Sequence, residues 1–310
     1  MIKKTLYLEN PTYLSLKNKQ LVIKLPEIEN NNTLPDKFKA DNIRTIPIED
    51  IGTIVIDNQQ ITITHGLIEA LLDNNTSLIT CDKSRMPVGL MLPLCGNTIQ
   101  NERFRDQLNA SIPLKKQLWQ QTIQAKISNQ AAVLKDKRGV EVRNMLKWIT
   151  EVKSGDKTNM EARAAVYYWA NLFDNFKRER SGQPPNNLLN YGYAILRAVV
   201  ARGLVASGLL PTIGIHHQNR YNAYCLADDI MEPYRPYVDK IVVEMFVKGI
   251  VELNREAKQM LLSIPVIEVI INNQRSPLMI AVGLTTSSLY KCFNGSSRKI
   301  LYPELLWKDF

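Results

Sequence analysis

Histidine and cysteine are scarce in this chain: its 310 residues hold three of the first and four of the second. The cysteines, Cys81, Cys95, Cys225 and Cys292, stand far apart and form no C-x-x-C pair. That spacing excludes the usual structural zinc site and a disulfide framework, and each thiol reads as a small buried apolar group in a reducing compartment. No apolar run reaches the roughly 18–20 residues that span a bilayer. The basic start Met1-Ile2-Lys3-Lys4 passes straight into alternating residues, without the apolar core of a signal peptide. A cytoplasmic protein with no membrane partner is expected. A G-x-x-x-x-G-K-S/T loop, a G-x-S-x-G elbow and a convincing dinucleotide fingerprint are all missing, so nucleotide hydrolysis and acyl-enzyme chemistry lose ground.

What is present is positive charge, unevenly spread. The net charge is +9, with residues 1–95 carrying 10 Lys/Arg against 11 Asp/Glu and residues 96–310 carrying 29 against 19. A basic second part beside a neutral first part nominates a polyanion as partner, although a merely soluble basic surface gives the same count.

The pattern along the chain changes at the same place. Thr5-Leu6-Tyr7-Leu8 alternates, and Tyr13–Leu16 and Leu21–Leu25 flank a polar Asn18-Lys19 turn, a hairpin signature. Arg44–Ile48 and Thr53–Ile56 are rich in β-branched residues; Leu67, Ile68, Leu71 and Leu72 have helical spacing, and Ser77–Cys81 returns to strand. His65 stands where a polar residue helps begin that helix. Pro87, Pro93 and Gly96 then mark a hinge, after which Leu114–Leu134, Asn186–Ser207 and Ile241–Val251 read as helices. Gly208, followed by Pro211, is a C-terminal stop for the second. The expected class is α+β in two domains: a small β-sheet domain over 1–95 and a larger all-α-helical domain over 96–310.

Few residues are left for chemistry. His216 and His217 lie in the loop-like stretch 211–220, and loops carry sites. Asp229 and Glu232 are three residues apart on a probable helix and share a face, whereas Asp228 turns about 100° away toward solvent, a cap or a salt bridge. Pro233 and Pro236 should end or kink that helix. A histidine with clustered carboxylates suits Mg²⁺ or Mn²⁺, although Asp-x-x-Glu is also common on solvated helix faces. Glu161 has two readings. Thr158-Asn159-Met160-Glu161 fits a capping box, which makes Glu161 a helix cap; the alternative is a metal ligand.

Several stretches together resemble the CRISPR-associated integrase of the spacer-acquisition complex, in its type II variant. They are Ile48–Ile56, Cys81–Gly89, Met160–Ala165, Leu189–Leu196 and above all Gly214–Asp239, with His-His, Leu-Ala-Asp-Asp-Ile-Met-Glu-Pro and Arg-Pro-Tyr-Val-Asp. The resemblance spans nearly the whole chain. It implies metal ligands at Glu161, His217 and Glu232, with Asp229 ligating or hydrogen-bonding the ligands. It implies a divalent-metal-dependent DNA endonuclease and integrase, joining the 3′-hydroxyl ends of captured DNA fragments to the CRISPR repeat by transesterification. The implied partners are double-stranded DNA, a second copy of the chain joined through the 1–95 domain, and a small ferredoxin-like CRISPR-associated protein completing a heterohexamer. DNA contacts are expected from Arg163 and Arg220, and further out from Lys177, Arg178 and Arg180, each equally readable as a solvated or paired charge. Two other functions share these features: a metal-dependent structure-specific nuclease of DNA repair, and a non-catalytic DNA-binding scaffold.

Overall fold

A computed structural model of the chain describes residues 2–179 and 181–305. It divides into two compact units, Met1–Leu94 and Cys95–Phe310.

The first unit is built from two sheets. Strands β1 (Lys4–Leu8), β2 (Tyr13–Lys17) and β3 (Gln20–Lys24) are followed by the short helices α1 (Pro26–Glu29) and α2 (Asp36–Asp41). Then come β4 (Arg44–Pro47), β5 (Ile51–Ile56), β6 (Thr62–Ile63), helix α3 (His65–Asp73), β7 (Ser77–Cys81) and β8 (Pro87–Met91). One sheet has the order β1-β5-β7-β8 and the other β4-β3-β2-β6. The β2–β3 hairpin closes through Asn18 and Lys19, both at positive φ, the backbone a two-residue type I′ turn demands. Leu14, Leu21, Ile51, Ile54, Leu67, Leu71 and Leu78 form the shared core. These are the apolar positions of alternating strands and of the i, i+4 face of α3. Exposed His65 is the first residue of α3. Strand β8, antiparallel to β7, occupies the stretch read from its prolines as the approach to the hinge. Pro87 is its first residue, a position where a missing N–H is tolerated.

The second unit is helical. Its elements are α4 (Gln100–Asn109), α5 (Ile112–Arg138), α6 (Arg143–Glu151), α7 (Met160–Leu172), α8 (Asn186–Ala206), α9 (Cys225–Met231), α10 (Arg235–Val247), α11 (Arg255–Leu262) and α12 (Leu278–Phe293). Helix α5 is the spine. Ser111 caps its start, Gly139 at φ 61° ends it, and Leu118, Trp119, Ile123, Ile127, Ala131 and Leu134 are buried along it. Helix α8 is long and apolar enough to cross a membrane by composition, but 72% of its most apolar window is buried within the protein, so it is a core helix. Gly208, at φ 67°, ends it as expected.

The α+β expectation holds, with two adjustments in the helical part. The helix read as Ile241–Val251 stops at Val247, because Gly249 takes φ 77° and breaks it. The unit is not all-helical: β9 (Glu268–Ile271) and β10 (Gln274–Pro277) make an antiparallel ribbon, turned by Asn272 and Asn273 at positive φ. Four-residue strands leave too little alternation to read from sequence, and the Asn-Asn turn was the available sign.

Candidate metal centre

Three segments converge on the buried flank of α5. The first is the start of α7. Its leading amides, Met160 N–H and Glu161 N–H, donate to Asp156 Oδ1 and Oδ2, each at 2.9 Å. Asp156 therefore fills the capping role that the Thr158–Glu161 pattern offered to Glu161, and Asn159, at φ 53°, makes no side-chain cap. The Glu161 carboxylate is left free to turn toward α5.

The second segment is the loop after α8. Gln107 on α4 holds it by donating Nε2–H to Leu210 O at 3.0 Å and Ile213 O at 2.9 Å, while its Oε1 accepts from Leu210 N at 2.8 Å. The loop then folds tightly over Asp229. Asp229 Oδ2 accepts from Ile215 N at 2.7 Å and His216 N at 2.9 Å; Oδ1 accepts from His217 N at 3.2 Å and lies 2.5 Å from His217 Nδ1. Gly214 allows this closeness, since a Cβ there would collide with His217 O and stand 2.7 Å from Asp229 Oδ2. The ring of His216 instead stacks on buried Trp119, centroids 4.1 Å apart and nearly parallel, and His217 meets the same indole edge-on.

The third segment is the turn between α9 and α10. Helix α9 ends as anticipated, just before the acid, with Pro233 inside a 3₁₀ turn over Glu232–Tyr234 and Pro236 in the first turn of α10. Asn129 on α5 anchors that turn by donating Nδ2–H to Pro233 O at 2.8 Å and Pro303 O at 3.0 Å, while its Oδ1 accepts from Leu305 N at 2.9 Å. Glu232 is thus fixed against α5. Asp228, on the other face, pairs with Arg197 at 2.7 Å and accepts from Asn222.

At the centre stands Lys126. Its Nζ lies 2.6 Å from Glu161 Oε1 and 2.6 Å from Glu232 Oε2. Arg235 Nε stands 2.9 Å from Glu232 Oε1. The Lys126 ammonium thus bridges the two carboxylates. Burial alone would raise the Glu232 pKa, but Arg235 and Lys126 outweigh it and hold the acid at about 2. Burial likewise opposes the Lys126 charge, and Glu232 and Glu161 overcome it and raise its pKa. The bond to Asp229 raises the pKa of His217 against the effect of burial, with smaller contributions from the charges of Asp229, Glu232 and Glu161.

These residues fit a divalent cation. The donor set is two carboxylates that already converge on one cationic atom, plus an imidazole. An ionised Asp229 can only accept, so Nδ1 of His217 carries the proton and Nε2 offers its lone pair. Among the described residues no three acids or histidines make a ready-formed cage, since Lys126 stands between two of them.

The basic residues divide differently. Arg163 is exposed with its guanidinium 5.3 Å from the Trp148 ring, and exposed Arg220 lies over Tyr221 at 4.6 Å. Lys177 is exposed and paired with Glu179 at 2.5 Å. Arg178 is turned inward, donating to Asn186 Oδ1 at 2.8 Å and Asn190 Oδ1 at 2.7 Å. Arg180 lies outside the described residues. Sequence reasoning missed Lys126, Asp156, Asn129 and Arg235. A lysine one turn from Ile123 and next to Ile127, two apolar positions of α5, was the one legible sign.

The chain matches the family model "CRISPR associated protein Cas1" over residues 6–273. It is 35% identical to a CRISPR-associated endonuclease Cas1 of Neisseria meningitidis serogroup C (strain 8013), over 99% of this chain and 97% of that one. Among solved structures it is similar in fold to a casposase bound to integration product (TM-score 0.75, 19% identity, 97% of this chain and 92% of that one). It is also similar in fold to a chain of a Cas6-RT-Cas1–Cas2 complex (TM-score 0.70, 18% identity, 96% of this chain and 35% of that one). With a matched model over most of its length and a full-length relative above 30% identity, the chain belongs to the CRISPR-associated Cas1 family.

Proposed function

We propose that this protein is a divalent-metal-dependent DNA endonuclease and integrase of CRISPR adaptation. It joins the 3′-hydroxyl ends of captured DNA to the CRISPR repeat. The observation that carries the reading is the convergence of Glu161 and Glu232 on one cation beside His217, in a Cas1-family chain. Glu161, Glu232 and Nε2 of His217 would hold Mg²⁺ or Mn²⁺, and Asp229 would orient the imidazole and not ligate. When bound, the metal supplies electrophilic polarisation of the phosphate and a lowered pKa for the attacking hydroxyl.

The residues of the chain do the rest. Glu232, ionised at any working pH, and Glu161 bring the negative charge that draws the cation in. Asp229 fixes the imidazole tautomer, and Trp119 packs against the ring edge-on. The 3′-oxygen attacks the phosphorus at the repeat boundary in line, as the bond from that phosphorus to the 3′-oxygen of the adjoining strand breaks; the proton of the attacking hydroxyl leaves and the departing oxygen gains one. No covalent enzyme intermediate is required. Arg163, Arg220 and Lys177, all exposed, would meet phosphates and position DNA without reading its sequence. Arg180 belongs with this group by sequence. Arg178 would act at one remove, its bonds to Asn186 and Asn190 shaping the segment that carries Lys177.

The proposed setting is cytoplasmic, as a homodimer joined through the first unit, working with a small ferredoxin-like CRISPR-associated partner in a heterohexamer. The Cas6-RT-Cas1–Cas2 complex joins a Cas1 with a Cas2, which supports a pairing of that kind for this chain.

The test is a strand-joining assay with a labelled 3′-hydroxyl duplex and a supercoiled repeat-bearing plasmid, with the small partner and Mg²⁺ or Mn²⁺. Joining should be lost in Glu161→Gln and His217→Ala. Cutting without joining would favour a structure-specific repair nuclease, and spacer acquisition surviving His217→Ala in cells would leave only a DNA-binding scaffold.

A further inference from the structure

The cation already seated at the centre belongs to the protein. Lys126 Nζ touches both carboxylates at 2.6 Å, and its side chain is only 11% exposed. A divalent ion held by Glu161 and Glu232 would need the same oxygens, and two cations cannot share them at that distance without strong repulsion. Arg235 stays on Glu232 Oε1, so Oε2 is the oxygen in dispute. A displaced, buried ammonium also needs somewhere to go, because leaving it without a partner is costly.

The fold provides that place. Gln130 lies one turn further along α5, on the same face as Lys126. It is 3% exposed, and its Oε1 accepts no hydrogen bond. Lys126, Gln130, Glu232 and Asp239 line one pocket of about 250 Å³, with the Trp169 and Tyr193 rings. An acceptor without a donor thus sits beside a donor whose acceptors a metal would claim. Lysine suits such a role, being a compact point charge on a flexible stem.

We propose that Lys126 is a two-position counter-ion. It neutralises Glu161 and Glu232 until a divalent cation takes them, then turns its ammonium into the neighbouring pocket onto Gln130 Oε1. Metal uptake is then an exchange of cations, and Lys126 and Gln130 set its affinity. This rests on the metal reading above.

The test is Mn²⁺ binding to the full-length protein without DNA, followed by electron paramagnetic resonance of the free ion. Lys126→Met should bind Mn²⁺ at least about tenfold more tightly, roughly 1.4 kcal/mol. Gln130→Leu should bind it several-fold more weakly, and the double variant should match Lys126→Met, since Gln130 acts only through Lys126. Unchanged or weaker binding in Lys126→Met overturns the exchange, as does a Gln130→Leu effect that persists without the lysine. Should Lys126→Met fail to fold, the wild-type protein carrying ¹³Cε-lysine decides. One resonance, assigned by its loss in Lys126→Arg, must shift on Mg²⁺ saturation, and a stationary signal refutes the displacement. Mn²⁺ binding that survives His217→Ala would instead overturn the metal reading, and the exchange with it. Binding that needs His217 but ignores Lys126→Met sinks the exchange alone.

Discussion

Replacing Asp229 by asparagine should damage the fold and the metal site together. The carboxylate serves two donors on each oxygen: the amides of Ile215 and His216 on Oδ2, and the amide and Nδ1–H of His217 on Oδ1. An asparagine must point its NH₂ at one of these pairs: on one side it faces two amide donors, and on the other it faces the His217 amide and an imidazole that must move its proton to Nε2. Each buried donor left unsatisfied costs about 1–3 kcal/mol, so one or two of them cost about 1–6 kcal/mol in all. Against a total stability of about 5–15 kcal/mol, that is a large fraction. The surviving protein should also lose about 10–100-fold in Mn²⁺ affinity, because the imidazole is no longer held in one tautomer and orientation. Urea denaturation read by circular dichroism gives the first quantity and a Mn²⁺ titration the second. A variant within about 0.5 kcal/mol of wild type would mean that the four bonds do not organise the loop. Unchanged Mn²⁺ affinity would mean that Asp229 does not govern His217.

Three further outcomes are expected. Gly214→Ala should lose stability and metal affinity together, because its Cβ would collide with the backbone oxygen of His217; equal melting temperatures would show that the loop has slack. Asp156→Ala should cost about 1–2 kcal/mol, the usual range for a lost helix cap, and should weaken Mn²⁺ binding as Glu161 loses its fixed origin. Mn²⁺ affinity should fall as pH drops, since a proton on His217 competes with the metal. The His217 pKa is raised, so the fall should begin above pH 6.5 and approach about tenfold per unit below that pKa. Affinity flat between pH 8 and 6 would remove the imidazole from the ligand set.

The strands of the first unit were legible because their apolar residues recur at strand period between polar turns, as Asn18-Lys19 shows. The helical core was legible for the same reason at a different period. His217 and Glu232 could be nominated from loop placement and local spacing. What sequence could not supply was the third dimension of the centre. Glu161 reads locally as a cap because the true cap, Asp156, sits outside the four-residue pattern in a turn bent by Gly155 at φ 72°. Lys126 is 35 residues from Glu161 and 106 from Glu232, and only the path of α5 brings it between them. Asp229 shares a helix face with Glu232 but spends its oxygens on the preceding loop, a choice that no periodicity records.

The bonds made by Asn129 have a practical consequence for anyone handling the protein. Two of its three partners, Pro303 and Leu305, belong to the final stretch of described chain, and the third is the proline beside Glu232. Shortening the chain before residue 303, or splicing a fusion partner there, would therefore be felt at the acid, although the cut lies some seventy residues away in sequence.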